Sequence, residues 1–364
     1  MEVLLMNKRQ LSSWQFAFFI FYTTFSLYTG ISSYLLIKQS GIHSFFSILI
    51  TYLLGFIAIM LFFFIFRYRS NENILEKNIF LFGKILGTIL NLMISILLLF
   101  IGMTLFYHIS DFVISQFLDQ TPISLFMIVF GILIIYCVKR GIVTVARVGV
   151  IFLFIILLSN IFFVMGLIPH MHPSSLMPFI DSNKFKTILI NSGDVFAINI
   201  VPIFILLIIK KNKISTSYHL KRRILLLYTI SFGILILENI FTIGTLGIYL
   251  ARIEQFPEYM VLQKINLFQF LDRIEKVICI QWVLSSFILL VLIIYHICKL
   301  FPKTSFRKSS FGVVSIMLLM SLLVFRNNTY FYYFVQYYFP IVCFSLFAIY
   351  ILIGITIFTR EYLK

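Results

Sequence analysis

The stretch that decides the fold is KTILINSGDVFAINIVPIFILLII, residues 186–209. It is long and apolar enough to cross a bilayer, which takes about 20 predominantly apolar residues. Its middle nevertheless carries polar, small or helix-breaking residues: Asn191, Ser192, Gly193, Asp194, Asn199 and Pro202. Lipid offers no hydrogen-bond partners, so irregular backbone at that depth must line a cavity inside the protein, and an ionisable residue there marks a functional site. The stretch therefore predicts a polar cavity inside a helical membrane protein.

The whole chain has the composition of a membrane protein. Of its 364 residues, 61% are hydrophobic and only 12% are charged. Apolar runs of about 18 or more residues predict transmembrane helices. Ten are predicted, at about 11–37, 42–66, 83–109, 122–138, 141–168, 186–209, 222–250, 272–299, 311–326 and 331–358. The connections are short, so residues 1–364 are predicted to form a single, all-α membrane domain.

The positive charge follows the membrane topology. The net charge is +16, and with ten spans most lysines and arginines, including those at 139–140, 210–213 and 221–223, fall on one face. The positive-inside rule then predicts that both termini are cytoplasmic. Basic loops beside membrane helices follow topology and anionic lipid, so the lipid bilayer and not nucleic acid is the predicted partner.

The ten spans divide into two groups of five, a first repeat of about 11–168 and a second of about 186–358. Span 1 then corresponds to span 6, and its centre, SLYTGISS at 26–33, is similarly small and polar. Paired interruptions at matching positions indicate the site of an inverted-repeat transporter fold. The ends of half-helices attract charged groups, which suits a zwitterionic amino acid. Close helix packing is the alternative explanation for the small residues in span 1.

Several polar residues outside these two spans are weaker candidates. Glu238 is a lone carboxylate in span 7 that must be protonated, paired or exposed to water. Its role is either ion or proton coupling or the binding of a structural partner. His108 and Asp111 are spaced to meet on one helix face, either in the cavity or at the membrane surface. The loop 251–276 is predicted to cap the cavity, with a short helix near 264–271, unless it is a surface loop with an interfacial helix.

Neither an enzyme nor a metal protein is predicted. The sequence has no nucleophile–base–acid constellation, no Gly-rich phosphate loop and no H-E-x-x-H motif. His170 and His172 do not share a helix face and lack a neighbouring carboxylate or cysteine. No catalytic residue, metal or cofactor is therefore assigned.

Five stretches resemble the B subunit of spore germinant receptors, the GerAB family of the amino acid–polyamine–organocation superfamily. They are LSSWQ at 11–15, QTP at 120–122, KRGIVTVARVGVIF at 139–152, KKNK at 210–213 and FPEYMVLQKINLFQFLDRIEKVICIQWVLSSF at 256–287. The last is the most specific, because it combines an aromatic-Pro turn, an R-x-E span start and a following Trp. The resemblance covers nearly the whole chain.

The resemblance implies a LeuT/APC-like fold of ten helices, arranged as a 5+5 inverted repeat with broken spans 1 and 6. It implies a germinant-sensing subunit in the spore inner membrane that works with A-type and C-type subunits and binds a small nutrient between those spans. The residues expected to bind it are Tyr28, Thr29, Gly30, Gly193, Asp194 and Asn199. The glycines would allow backbone approach, Asp194 and Thr29 would bind an ammonium or hydroxyl, and Tyr28 would pack on the apolar part. The alternative function is secondary transport of an amino acid coupled to H⁺ or Na⁺.

Overall fold

A computed structural model describes residues 10–177, 184–215, 219–265, 275–302 and 304–362, and those residues are almost entirely helical. Span 1 consists of Ser13–Phe25, Tyr28–Ser32 and Ser33–Ser40; spans 2 to 5 are Ser44–Arg67, Ile74–Phe117, Ile123–Arg140 and Ile142–Leu167. Span 6 consists of Phe185–Val195, Phe196–Ile200 and Val201–Ile208, and span 7 is Leu220–Ile253. Span 8 consists of Glu275–Ile278 and Ile280–Cys298, span 9 is Phe306–Val324, and span 10 consists of Asn328–Tyr337 and Phe339–Tyr362. Short 3₁₀ turns lie at Gly41–His43, Ile168–His170, Pro173–Leu176 and Lys211–Lys213, and one further helix, Pro257–Leu262, lies between spans 7 and 8.

The number of crossings follows from helix length. Nine stretches of the described residues are long and apolar enough to cross a membrane, and the first, Ser13–Arg67, has 55 residues. A straight helix of that length would measure about 80 Å, far more than the ~30 Å hydrocarbon core. The chain instead turns at Gly41, whose φ of 61° suits glycine. The predicted ten spans are thereby confirmed.

Span 3 begins earlier than the predicted residue 83. Gly83, with φ 78°, breaks the 44-residue helix Ile74–Phe117. The part before Gly83 folds back on the part after it, because Asn78 Nδ2 donates to Asn91 Oδ1 at 2.8 Å and Asn91 Nδ2 donates to the Leu75 carbonyl at 3.0 Å. The predicted start of span 3, residue 83, is therefore the position of the break, after which the long part of the helix runs to Phe117.

Side-chain caps explain where two of the helices start. Ser12 Oγ accepts from the Gln15 N–H at 3.1 Å while Gln15 Oε1 accepts from the Ser12 N–H at 2.9 Å, which makes a capping box within the LSSWQ stretch. Asn73 and Glu76 form the same reciprocal pair before span 3. The sequence around residue 12 thus fixes the entry of span 1.

Burial separates central from peripheral spans. In the most apolar window of span 6, 78% of residues are buried, against 28% in span 9. Span 1 packs against spans 5, 7 and 8 and contacts both irregular segments of span 6. Spans 1 and 6, the two with predicted interruptions, therefore lie at the centre of the bundle.

The predicted helix near 264–271 overlaps residues 266–274, which lie outside the described residues. The described helix of that loop is Pro257–Leu262, called the cap helix below. It packs against span 7 and contacts the irregular segment of span 1.

Candidate functional site

Span 1 loses its helical conformation at its centre. Thr29 has an extended ψ of 124° and Gly30 has φ 71°. A Cβ on Gly30 would overlap the His108 ring at Cε1. Both the left-handed backbone and the close approach of the histidine ring therefore require glycine at position 30.

Side chains satisfy the backbone groups freed by this break. The Gly30 N–H donates to Ser33 Oγ at 2.9 Å. His108 Nε2 lies 3.0 Å from the Thr29 carbonyl, which can only accept, so Nε2 carries the hydrogen. His108 Nδ1 is then a buried acceptor with no partner in the described part of the chain.

Span 6 changes its helix type at the same level. Its α-helix ends at Val195, a π-turn occupies Phe196–Ile200, and a tight 3₁₀ segment follows at Val201–Ile208. Pro202, which has no N–H, lies near the start of the 3₁₀ segment. The predicted interruption of span 6 is thus a change of winding centred a few residues after Asp194.

Asn199 joins the two irregular segments. Its Oδ1 accepts from Ser32 Oγ at 2.7 Å, and its Nδ2 donates to the Thr24 carbonyl at 2.8 Å. Thr24 in turn donates from Oγ1 to Ser231 Oγ of span 7 at 2.7 Å. A buried polar network therefore links spans 1, 6 and 7 at the centre of the bundle.

Two buried carboxylates lie beside the break of span 1. Glu238 comes from span 7 and Glu258 from the cap helix, and both are buried. Thr29 and Trp282 lie next to Glu238, and both carboxylates interact electrostatically with Tyr28. Within the described ranges, none of the four carboxylate oxygens has a hydrogen bond of standard geometry.

The cap helix carries the carboxyl whose titration is most altered outside the spans. Burial raises the pKa of Glu258 from 4.5 to about 7, and the nearby Ser33 hydroxyl opposes the rise. Phe256, two residues earlier, lies against Gly30 and against the His108 ring. The cap helix thus covers the break of span 1 from one side.

The structure leaves little space at this point. A cavity of about 10 Å³ remains between Thr29, His108, Phe256 and Trp282. A volume of that size holds about one water molecule. The molecule is therefore closed at the break, and an amino acid could enter only if the surrounding elements moved apart.

Comparison with known proteins identifies the family. Residues 10–331 match the family model Spore_permease, described as "Spore germination protein". The chain belongs to this family of spore germination proteins. A curated relative, spore germination protein XB of Bacillus anthracis, is 22% identical over 291 residues, which are 80% of each chain.

A solved structure shows which fold this spore germination protein has. It is similar to Mhp1, a nucleobase-cation-symport-1 family transporter in a closed conformation with bromovinylhydantoin bound, with a TM-score of 0.69 and 15% identity. The match covers 98% of this chain and 79% of Mhp1. The predicted LeuT/APC-like fold and the resemblance to germinant receptor B subunits are confirmed.

The predicted ligand residues fall into two groups in this spore germination protein. Tyr28, Thr29 and Gly30 form the break of span 1, and Asn199 is bonded to the same span. The α-helical part of span 6 buries a stripe made of Ile188, Asn191, Ser192 and Val195. All five residues of the π-turn that follows, including Asn199, are buried.

Gly193 and Asp194 lie off that stripe. A Cβ on Gly193 would lie 3.6 Å from the Phe344 ring of span 10. No hydrogen bond or ion pair of Asp194 occurs in the residues that the structure covers, and its side chain is only partly buried. Their role in ligand binding stays a prediction.

His108 and Asp111 do not bond to each other. His108 turns to Thr29, whereas Asp111 Oδ2 accepts from Gln255 Nε2 at 2.8 Å. His108 thus lines the centre, while Asp111 ties span 3 to the segment before the cap helix.

Sequence reasoning missed two residues of this site. Glu258 follows a proline in a polar loop, where a carboxylate normally signals a solvated surface, and Trp282 has the placement of an interfacial anchor. The available signal was the aromatic–Pro–Glu order at 256–258, since proline at the first position of a helix predicts a short helix there.

Proposed function

We propose that this protein is the nutrient-sensing membrane subunit of a spore germinant receptor, and that a small nutrient such as an amino acid binds between spans 1 and 6. The observation that supports this most is that Tyr28–Ser32 and Phe196–Ile200 lie side by side at the buried centre, joined through Asn199. Ser33 and His108 satisfy backbone groups of the irregular segment of span 1 in the closed molecule. In an opened arrangement, the same N–H and C=O groups can hold the carboxylate and ammonium of a zwitterion.

Each predicted residue has a proposed role. Gly30 admits the nutrient to the backbone, Thr29 supplies a hydroxyl, and Tyr28 packs on the apolar part. Asn199 holds the two spans in register. Gly193 and Asp194 lie off the buried stripe of span 6, so they would reach the nutrient only if that span rotated about its axis.

Sensing would use the closure seen at the centre. A nutrient that binds an opened arrangement better than the closed one shifts the population towards it. A-type and C-type subunits of the same receptor would respond to that shift in population. In the proposed setting, the spore inner membrane, the basic segments at 139–140 and 210–213 face the cytoplasm together with both termini.

Germination of spores that carry this chain as their only B-type subunit tests the proposal. Gly30→Leu and Asp194→Asn are compared with Gly233→Leu, because Gly233 has ordinary φ and nothing within 4 Å of an added Cβ. The expected result is that Gly30→Leu abolishes the nutrient response while Gly233→Leu keeps it, at equal protein levels. Thr29→Val replaces Gly30→Leu if the latter fails to accumulate.

The outcome for Asp194→Asn locates the site within span 6. A lost response supports a rotated span 6 with Asp194 at the nutrient, whereas a normal response restricts the site to the buried stripe. Normal germination of both Gly30→Leu and Thr29→Val with every nutrient would contradict the proposal.

The second candidate function is secondary transport of an amino acid coupled to H⁺ or Na⁺. The likeness of the fold to that of a transporter and the two buried carboxylates beside the break favour it, since titrating carboxylates serve ion coupling in membranes. Uptake of labelled amino acids by proteoliposomes that contain this chain alone would establish transport and displace the sensing proposal. A nutrient-dependent thermal shift without uptake would support sensing.

A further inference from the structure

A groove on the outside of the bundle lies away from the site at spans 1 and 6. It has a volume of about 490 Å³, and its walls include Phe56, Met60 and Phe63 of span 2 and Leu225 of span 7. Span 2 packs against both span 7 and span 10. None of the predicted nutrient residues lines this groove, so nutrient binding does not explain it.

The apolar part of the groove runs along span 2 for the depth of one membrane leaflet. One face of that helix carries, at intervals of three or four residues, Phe56, Met60, Phe63 and Arg67. From the first to the last of these, the helix rises about 16 Å at 1.5 Å per residue. Half of the hydrocarbon core is about 15 Å thick. The groove therefore reaches from the middle of the membrane to its surface.

Charged side chains surround the surface end of the groove. Arg67, Arg69 and Lys221 line it together with one acidic residue, Glu361, and all four are exposed. Glu72 adds a second negative charge, because it pairs with Arg69 at 2.5 Å. Three positive and two negative charges leave one positive charge in excess, which complements the single negative charge of a phosphodiester.

The backbone and the neighbours of Arg69 hold its side chain at this end. Among the described residues other than glycine, Arg69 is the one with a positive φ, at 40°, and left-handed backbone costs about 1–2 kcal/mol. The centre of its guanidinium lies 3.6 Å from the centroid of the Phe80 ring. Strained residues of this kind cluster where a side chain is placed for a ligand.

The pattern favours a phospholipid over a soluble anion or a partner helix. A soluble anion would use the charged end and leave the apolar walls without an occupant. A partner helix would cover the apolar walls and would also need a negative group at the surface. A phospholipid supplies both parts, and basic pockets between membrane helices bind lipid headgroups. The planar guanidinium of arginine suits phosphate because it can bond two oxygens at once.

We propose that the groove between spans 2, 7 and 10 binds one anionic phospholipid, with its phosphodiester at Arg67, Arg69 and Lys221 and an acyl chain along the apolar face of span 2. The bound lipid connects the end of span 2 to the start of span 7 at the membrane surface. This inference goes beyond the proposed function, because the groove can fill whether or not a nutrient is bound.

Native mass spectrometry of the purified, delipidated full chain counts the lipids that stay bound. The protein is mixed in detergent with equal amounts of phosphatidylglycerol, phosphatidylethanolamine and phosphatidylcholine that carry the same acyl chains. We expect one phosphatidylglycerol molecule to bind at least tenfold more tightly than either of the other two, because their headgroups carry a positive charge that cancels the phosphate charge.

Three variants locate the binding. Arg67→Gln/Lys221→Gln should remove the preference for phosphatidylglycerol, and Met60→Trp, which fills the apolar part without changing the charge, should weaken its binding. Lys84→Gln/Arg222→Gln is the matched control, since it removes two exposed positive charges outside the groove, and it should bind as the wild type does. Thermal melts confirm that each variant is folded, and either groove variant carries the test if the other is not.

Three results would overturn the lipid site: equal binding of the three lipids by the wild-type chain, a preference that survives in the folded groove variants, or displacement of phosphatidylglycerol by an equal concentration of glycerol phosphate. The last would assign the charged end to a soluble anion. A failed germination test with an intact preference for phosphatidylglycerol would reject nutrient sensing and leave this site standing.

Discussion

Gly30 is the residue whose geometry is most constrained. Its φ is 71°, and the His108 ring occupies the space of a side chain. An L-residue in this conformation costs about 1–2 kcal/mol before any clash is counted. The conformation and the packed histidine therefore act together to keep the centre of span 1 unwound.

We expect Gly30→Ala to lower the melting temperature, because the methyl group must displace His108 from the Thr29 carbonyl. Gly233→Ala is the matched control, since an added Cβ there meets open space. Thermal unfolding of both proteins in detergent measures the difference. If Gly30→Ala and Gly233→Ala melted at the same temperature, the His108 ring could move aside at no cost in stability.

Asn199 is the residue that couples the two breaks. Asn199→Ala removes the bonds to Ser32 and Thr24. The buried Ser32 hydroxyl then keeps only its longer contacts with the Leu27 and Tyr28 carbonyls, at 3.3 and 3.5 Å. The expected loss is about 1–3 kcal/mol. Chemical or thermal unfolding compares it with Asn212→Ala at an exposed position. A loss no larger than that of the control would show that water replaces the amide.

The raised pKa of Glu258 predicts how the stability of the folded protein changes with pH. Its pKa is about 7 in the folded protein, above the ordinary 4.5. Between those values the folded state binds a proton that the unfolded state has released, so stability is full below about 4.5 and falls as the pH rises to about 7. Glu238, Tyr28 and Tyr332 are the titratable groups that interact with it.

Melting curves at a series of pH values and constant ionic strength measure the contribution of Glu258 to stability. The wild-type melting temperature should fall more steeply than that of Glu258→Gln across the interval, because a difference of one bound proton lowers the free energy of unfolding by about 1.4 kcal/mol per pH unit. Parallel profiles would assign the pH dependence to other groups.

At the scale of elements, the end of span 2 is capped by a buried lysine of span 3. Lys77 Nζ donates to the carbonyl of Ile65 at 2.7 Å and lies 3.4 Å from that of Phe66. These carbonyls belong to the last turn of span 2, where a positive charge is favourable. The interaction also fixes the segment that precedes Gly83.

Lys77→Met keeps the length of the side chain and removes the charged donor. We expect a loss of about 1.5–3 kcal/mol, against little change for Lys84→Met at an exposed site on the same helix. Thermal unfolding provides the comparison. Stability equal to that of the control would mean that the carbonyls find water.

Elements also show what the sequence predicts and what it cannot. The interruption of span 1 at Gly30 and the irregular centre of span 6 follow from polar and small residues in apolar runs. The orientation of span 6 cannot be predicted in this way. Asn199 and Asp194 are both polar, and only packing decides that Asn199 faces span 1. Glu258 was beyond prediction because its burial depends on where the cap helix packs.

At the scale of the molecule, the closed centre gives a consequence for binding. A cavity of about 10 Å³ cannot hold a nutrient, so binding must be accompanied by movement of the elements around span 1. The energy of that movement reduces the apparent affinity, because only the opened fraction is competent to bind. Weak but specific binding is the expected behaviour of the isolated chain.

The measurement that tests the central claim most directly is thermal unfolding of the purified chain with a panel of the common amino acids and nucleosides. At least one compound should raise the melting temperature saturably, since a ligand at a hundred times its Kd stabilises by about 2.7 kcal/mol. The shift should vanish in a folded Thr29→Val or Gly30→Leu protein and persist in Gly233→Leu. No shift with any compound, or a shift that survives both changes at the break, would contradict a nutrient site between spans 1 and 6.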